Sequence, residues 1–256
     1  MKKLSGALII VLCILLIYGC GSNQRGSKDQ ASGAEESNVP DTGYTGIKKY
    51  YSKDLLIKEV TFKNGVRHGE MRTFYQSGQL YQTFWYENGL RQDSAKWHYL
   101  EGQVFRSTPY KNDTVNGIQK QYYRNGRVKA KLEYVKGVRT PFIEEYTQEG
   151  RLVKNYPEIV ATLSDNYTTK GSVSINLELS DKGTKVRFYK GDFTNGVFDT
   201  TRCIKLKTEN GKAFINLKKS GTEQPDNIGV IAEITTSFGN KHLTHKKVAL
   251  PYKDLK

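Results

Sequence analysis

The sequence predicts an all-β protein: an elongated antiparallel sheet of tandem 24-residue β-hairpins, followed by a small β-sandwich. Three observations carry this. Tyrosine and glycine recur in phase every 24 residues between about 47 and 156. Between the glycines, apolar and polar residues alternate with period two, and Tyr, Thr and Val are frequent. From Pro157 the 24-residue register is lost and short alternating runs replace it. Four regions follow: an export segment over 1–19, a tether over 20–46, the hairpin array over 47–156 and a C-terminal domain over 157–256.

Lys2 and Lys3 precede an apolar stretch from Leu8 to Ile17. Roughly ten to fourteen apolar residues are too few for a spanning helix, which needs about twenty, and suit the core of a cleaved export signal. Ile17-Tyr18-Gly19-Cys20 closes the stretch. This tetrapeptide resembles the bacterial lipobox, with Tyr18 where a small residue is common. The resemblance implies a lipoprotein: cleavage before Cys20, diacylglycerol on its sulfur and an acyl chain on its new amine. Such chains anchor stably, since each buried methylene adds about 0.8 kcal/mol. No cofactor beyond this covalent lipid is expected.

Residues 21–46 are rich in Gly, Ser, Asn, Gln, Asp and Glu and nearly lack large apolar side chains. Such a segment cannot bury enough surface to order itself. As a flexible coil it spans about 28 Å root-mean-square and reads as a tether between membrane and folded domains. Gly21, rather than aspartate, follows Cys20. By resemblance to Gram-negative lipoproteins, this implies the outer membrane.

The net charge is +14, with twenty basic and eleven acidic residues over 47–156 against sixteen and eleven over 157–256. Bases alternate with acids and aromatics, and no run of five like charges occurs. Two readings fit: a solvated basic face, or attraction to an anionic surface such as lipid head groups or a polyanionic glycan. No nucleic-acid motif is visible, so nucleic acid is not expected as a partner. Once Cys13 leaves with the signal and Cys20 is acylated, only Cys203 remains, in the alternating run Arg202-Cys203-Ile204-Lys205-Leu206. No intramolecular disulfide can then form, and packing must hold the fold.

In the array, Tyr51, Tyr75, Tyr99 and Tyr123 recur at intervals of 24, as do Gly78, Gly102, Gly126 and Gly150, with Asp54 at the first equivalent place. A second aromatic column, Phe62, Tyr86, Tyr110 and Tyr134, is followed by Gly65, Gly89, Asp113 and Gly137. An aliphatic column runs Leu56, Leu80, Val104, Val128 and Leu152, and a third glycine-like column Gly69, Asp93, Gly117 and Pro141. Each unit therefore reads as strand, tight turn, strand, turn, with Ser77-Gly78, Asn88-Gly89 and Asn125-Gly126 as turn dipeptides. Alternation places Leu80, Phe84 and Tyr86 on one face and Tyr81, Thr83 and Trp85 on the other. A lone hairpin is marginal, so units must stack edge to edge and the aromatic columns become cross-strand ladders. Pro109 is expected to interrupt the third unit.

Tandem Tyr-x-x-Gly steps with a trailing x-x-x-Gly resemble MORN repeats, in particular the bacterial variant built of longer hairpin units. The resemblance covers roughly 110 residues. It implies an interaction or scaffolding module, in some relatives linked to lipid head groups and in others to an antitoxin-like role. The aromatic ladder reads first as packing of a thin sheet. If it also stacks on a ligand, Phe84, Trp85, Trp97 and Tyr99 are the first candidates.

In the C-terminal region, alternating runs at 158–163, 172–179, 185–189, 203–208, 213–217, 230–235 and 242–250 are separated by glycine-bearing turns. Seven short strands in a hundred residues suggest an immunoglobulin-like sandwich. Catalytic signatures are not seen: no Gly-x-Ser-x-Gly, His-Glu-x-x-His or phosphate-cradling loop occurs. His242 and His245 lie three apart in an expected strand and so face opposite ways, as do Glu144 and Glu145. The expectation is a non-enzymatic, metal-free, membrane-anchored binding or scaffolding lipoprotein with an unidentified protein, glycan or lipid head-group partner. An immunity-like occluder of a toxin is the runner-up, and a hydrolase of envelope glycans comes third. The sequence leaves the oligomeric state open.

Overall fold

The computed structural model describes residues 42–223 and 225–256. The export segment, Cys20 and the tether as far as residue 41 lie outside the described residues. Among the described residues no helix is long and apolar enough to cross a membrane.

Ten strands build the first sheet: β1 (Gly46–Ser52), β2 (Leu55–Lys63), β3 (Val66–Phe74), β4 (Leu80–Glu87), β5 (Leu90–His98), β6 (Val104–Lys111), β7 (Thr114–Val115), β8 (Gly117–Tyr122), β9 (Val128–Val135) and β10 (Val138–Glu145). They run in sequence order, every pair antiparallel, with β7 and β8 both pairing with β6.

Two kinds of turn alternate along this meander. Two-residue turns at Asn64-Gly65, Asn88-Gly89, Asn112-Asp113 and Lys136-Gly137 hold both residues at positive φ, the geometry whose twist matches paired strands. Asp113 fills glycine's place, and its Oδ1 accepts from the Arg91 amide at 3.0 Å and from Arg91 Nε at 2.8 Å. The wider turns begin at Tyr75, Tyr99 and Tyr123. In the first, the Gly78 amide donates to the Tyr75 carbonyl at 2.9 Å and the Tyr75 amide to that of Gln79 at 2.8 Å. Thr147 starts a fourth turn of the same form, with Gly150 at the same place. Gly78, Gly102, Gly126 and Gly150 have open space where a Cβ would go, so positive φ rather than crowding selects glycine.

The third glycine-like column marks β-bulges. Gly69, Asp93 and Gly117 have φ of +97°, +54° and +112°, and the β2–β3, β4–β5 and β9–β10 registers shift beside the positions of this column. At Gly117 the bulge divides one strand into β7 and β8. Pro109, expected to interrupt the third unit, lies inside β6 instead. It faces that bulge, where a Cβ on Gly117 would come within 3.3 Å of its ring. A bulge is one of the few places where a strand tolerates a residue without an amide hydrogen. The first unit also departs from expectation: Lys53-Asp54 makes a two-residue turn between Ser52 and Leu55 rather than the wider form.

The C-terminal strands are β11 (Ile159–Asn166), β12 (Ser172–Leu179), β13 (Val186–Lys190), β14 (Ile204–Lys205), β15 (Thr208–Glu209), β16 (Lys212–Lys218), β17 (Asn227–Thr235) and β18 (Lys241–Ala249). They form two sheets, ordered β11-β12-β16-β15 and β14-β13-β17-β18. This is an immunoglobulin-like order: A-B-E-D on one sheet, C-F-G with an added edge strand on the other. The alternation in β12 and β16 buries Val173, Ile175, Leu177, Leu179, Ala213, Ile215 and Leu217 against Val186, Phe188, Val230, Ala232 and Ile234 of the other sheet. Each fully buried Val, Leu or Ile contributes about 1.5–3 kcal/mol. The run 203–208, expected as one strand, crosses between the sheets and is split into β14 and β15. The Leu206 amide bonds the Phe188 carbonyl at the crossing. A second small core, Tyr189, Phe198, Ile231 and Leu243, lies on the outside of the second sheet with Phe193 and Cys203 against it.

The sandwich meets the array at β10. The Phe198 amide donates to the Arg139 carbonyl at 2.8 Å, and the Val153 amide to that of Glu145 at 2.8 Å. These bonds occupy edge groups that would otherwise invite pairing with another chain.

Candidate binding face of the repeat sheet

Strand register sorts the array's side chains onto two unlike faces. Phe84 and Tyr86 share one face, called here the recessed face, and Trp85 lies on the other. Leu80, expected beside Phe84, pairs with Phe74 beyond a bulge at Tyr81 that reverses the alternation, and so falls on the side of Trp85. With the exception of Thr140 in a bulge, all fully buried side chains of the array point to the recessed face: Val60, Tyr86, Ala95, Trp97, Thr108, Ala130, Leu132 and Glu145. The sandwich approaches this sheet at β10, yet Val60 and Ala95, in distant strands, are only 1% exposed. Their larger neighbours therefore rise around and over them, sealing these small residues beneath the side chains of this face.

The column Phe62, Tyr86, Tyr110 and Tyr134 lines this face beside the two-residue turns. Its partners across the strands are Arg67, Arg91, Val115 and Arg139. Guanidinium groups lie over the rings: Arg67 over Tyr86 at 5.0 Å, Arg91 over Tyr110 at 4.5 Å and Arg139 over Tyr134 at 5.4 Å. Stacks of this kind are worth about 0.5–1 kcal/mol where exposed and more where desolvated.

Tyr75, Tyr99 and Tyr123 do different work at the wider turns. Each hydroxyl donates to a backbone carbonyl 23 residues on: His98 at 2.6 Å, Tyr122 at 3.2 Å and Tyr146 at 2.6 Å. Each bond ties one turn to the strand end before the next, so this column staples the units together. Tyr51 stands apart, 59% exposed beside its two-residue turn.

The four residues singled out for stacking are not brought together. Phe84 and Trp97 meet edge to face at 5.6 Å on the recessed face. Arg106 covers the Trp97 ring at 3.9 Å. Trp85 projects from the opposite face, 44% exposed, and Tyr99 belongs to the staple, capped by Arg124 at 4.6 Å.

The two faces also differ in charge. The recessed face carries Lys48, Lys58, Arg67, Arg91, Arg106 and Arg139. Apart from Asp93 in a bulge and Asp113 in a turn, its carboxylate among the described strands is the buried Glu145. On the opposite face Lys49 pairs with Glu59 at 3.5 Å, Arg72 with Glu59 at 3.9 Å and with Glu70, and Lys131 with Glu144 at 2.9 Å, while Lys96 and Lys120 form no ion pair among the described residues. Among the described residues no carboxylate pairs with Arg67, Arg106 or Arg139, and the Nε atoms of Arg106 and Arg139 are buried without a hydrogen-bond partner. Burial holds the Arg106 guanidinium below its usual range, partly offset by Tyr110, Tyr81 and Tyr134. Hydrogen bonds from Arg91 hold the Asp113 carboxyl below the usual carboxylate range.

Glu145 locks the array to the sandwich. Its carboxylate accepts from Asn240 Nδ2 at 2.7 Å, Thr236 Oγ1 at 2.8 Å and the Tyr156 hydroxyl at 3.1 Å. Gln121 Nε2 reaches Asn240 Oδ1 at 2.8 Å. Tyr156 stacks on His242 at 4.2 Å. Burial, reinforced by Glu145, pushes the Tyr156 phenol well above its ordinary range, and burial lowers His242. His245 turns the other way, to Asp192 at 2.7 Å. Glu144 faces away from Glu145, bonded to Lys131 and, at 2.7 Å, to the Tyr146 hydroxyl, so the two carboxylates do not converge. Among the described residues no cluster of His, Cys, Asp and Glu is placed to hold a metal ion. Burial raises the Cys203 thiol, favouring its protonated form.

Sequence reasoning missed the arginine column, although Arg67, Arg91 and Arg139 fall in the same 24-residue phase as the aromatics, with Val115 at the one place between. It was hidden because a charge seen alone reads as solvated surface. Its meaning depends on which aromatic it faces across the ladder.

Residues 67–88 and 115–136 match the family model of the MORN repeat variant. The two stretches lie 48 residues apart, two periods, and each spans two strands and the Tyr-x-x-Gly turn between them. No curated protein matches the chain. The repeat match points to a binding or scaffolding module.

Proposed function

We propose that this chain is a lipid-anchored, non-catalytic binding module of the bacterial cell envelope, working through the recessed face of its repeat sheet. The observation that carries the reading is the set of ring-stacked arginines on the recessed face. Arg67 and Arg106 lie on aromatic rings with no salt bridge among the described residues, whereas Lys49, Arg72 and Lys131 on the opposite face pair with carboxylates. Preorganised planar cations held on rings favour an anionic partner. The export segment, the lipobox-like Ile17-Tyr18-Gly19-Cys20 and the tether support an anchored location, with the outer membrane favoured by Gly21.

Two comparisons test this in the native host. Cys20→Ser should abolish acyl-chain labelling and membrane retention; unchanged processing and retention count against the anchor. Arg67→Gln/Arg106→Gln should lose an envelope component captured by the parent chain, while the opposite-face change Lys96→Gln/Lys120→Gln keeps it. Equal capture by both variants removes the recessed face from consideration.

A further inference from the structure

We propose that the recessed face binds an extended acidic polysaccharide, its carboxylates taken by the guanidinium groups of Arg67, Arg106 and Arg139. The proposal rests on the reading of that face as the working surface and names the class of ligand.

Spacing is the first argument. Arg67 lies in β3, Arg91 in β5 and Arg139 in β10, which is four strands further along the sheet order. With strands about 4.8 Å apart, successive places in this column recur about every 10 Å, with Val115 at the one that lacks a charge. Arg91 already holds Asp113, so Arg67, Arg106 and Arg139 are the cations set apart along the sheet for a polymer's anions, and a bidentate guanidinium suits a carboxylate better than an ammonium would.

The second argument is the lining. Thr73, Gln82, Thr108 and Gln119 stand on the same face, with Gln119 Nε2 bonded to Thr108 Oγ1 at 3.0 Å. Amides and hydroxyls beside aromatic rings suit a ligand made of hydroxyls and apolar ring faces. An acidic peptide would supply its charges on flexible stems without that match.

The test uses the full lipidated chain in non-ionic detergent. The probes are polygalacturonate, neutral dextran and phosphatidylglycerol vesicles. Expected are binding to polygalacturonate that weakens with added salt, none to dextran, and at least a tenfold loss in Arg67→Gln/Arg106→Gln. Lys96→Gln/Lys120→Gln, with the same change in net charge on the other face, should stay within about twofold of the parent. Arg67→Gln alone changes an exposed side chain and should lose severalfold, which keeps the test decisive if the double variant folds poorly. Equal losses from the two faces overturn the proposal, as does equal binding to dextran. Binding to vesicles without polygalacturonate, or to none of the probes, also overturns the ligand class. In those last cases the capture experiment above still judges the recessed face independently.

Discussion

At the scale of single residues, the two adjacent glutamates show how position decides what a carboxylate contributes. Glu145 is fully buried and accepts three hydrogen bonds, while Glu144 pairs with Lys131 at the surface. Removing the buried acceptor strands the donors on Asn240, Thr236 and Tyr156. Glu145→Ala should therefore cost about 1–3 kcal/mol in denaturant unfolding, against about 0–1 kcal/mol for Glu144→Ala. His242 adds a pH dependence. Burial lowers its pKa in the folded state, so protonation favours the unfolded chain. Its contribution is intact above the ordinary histidine value of about 6.5 and is lost as pH falls through the lowered folded value. Unfolding midpoints measured on either side of pH 6.5 should fall on acidification, and His242→Phe should flatten the drop. An unchanged slope in the variant would reject His242 as its source.

Among the elements, the turns and staples decide the register. Lys136 holds a left-handed conformation at φ +48° where the equivalent turns carry Asn64, Asn88 and Asn112. Asparagine tolerates that region better than lysine. Lys136→Asn should stabilise the chain by roughly 0.5 kcal/mol, read as a higher unfolding midpoint at unchanged slope. The tyrosine staple should behave oppositely. Tyr123→Phe keeps the ring and removes the 2.6 Å bond to Tyr146, at a cost of about 0.5–1.5 kcal/mol. The same change at Tyr51, exposed beside its two-residue turn, should be nearly silent. Equal costs at the two positions would show that the ring, and not its hydroxyl, joins the units.

For the whole molecule, what was legible followed from period. The 24-residue columns gave the hairpins, and period-two alternation gave the strands of the sandwich to within a few residues. The bulges were not legible, because Gly69 and Gly117 look like any turn glycine until a register shift is seen beside them. Nor was the split of 203–208 between two sheets, since the same alternation suits one strand or two. The aromatic columns were visible but their roles were not. Tyr75, Tyr99 and Tyr123 join units through their hydroxyls, while Phe62, Tyr86, Tyr110 and Tyr134 line the recessed face. Trp85, selected with Phe84 and Trp97 for aromatic character, falls on the opposite side by parity alone. Glu145 could not be found from sequence because its partners Thr236 and Asn240 lie more than ninety residues away.

The recessed face is the surface proposed to meet the partner. Neighbouring positions on β4 test it directly, because Gln82 lies on the recessed face and Thr83 on the other. A photo-reactive side chain at each position, in the full chain within native envelopes, differs in direction and in little else. Adducts that form from position 82, are absent from position 83 and disappear in Arg67→Gln/Arg106→Gln are the expected result. Adducts of equal yield from both positions, or from position 83 alone, would contradict it.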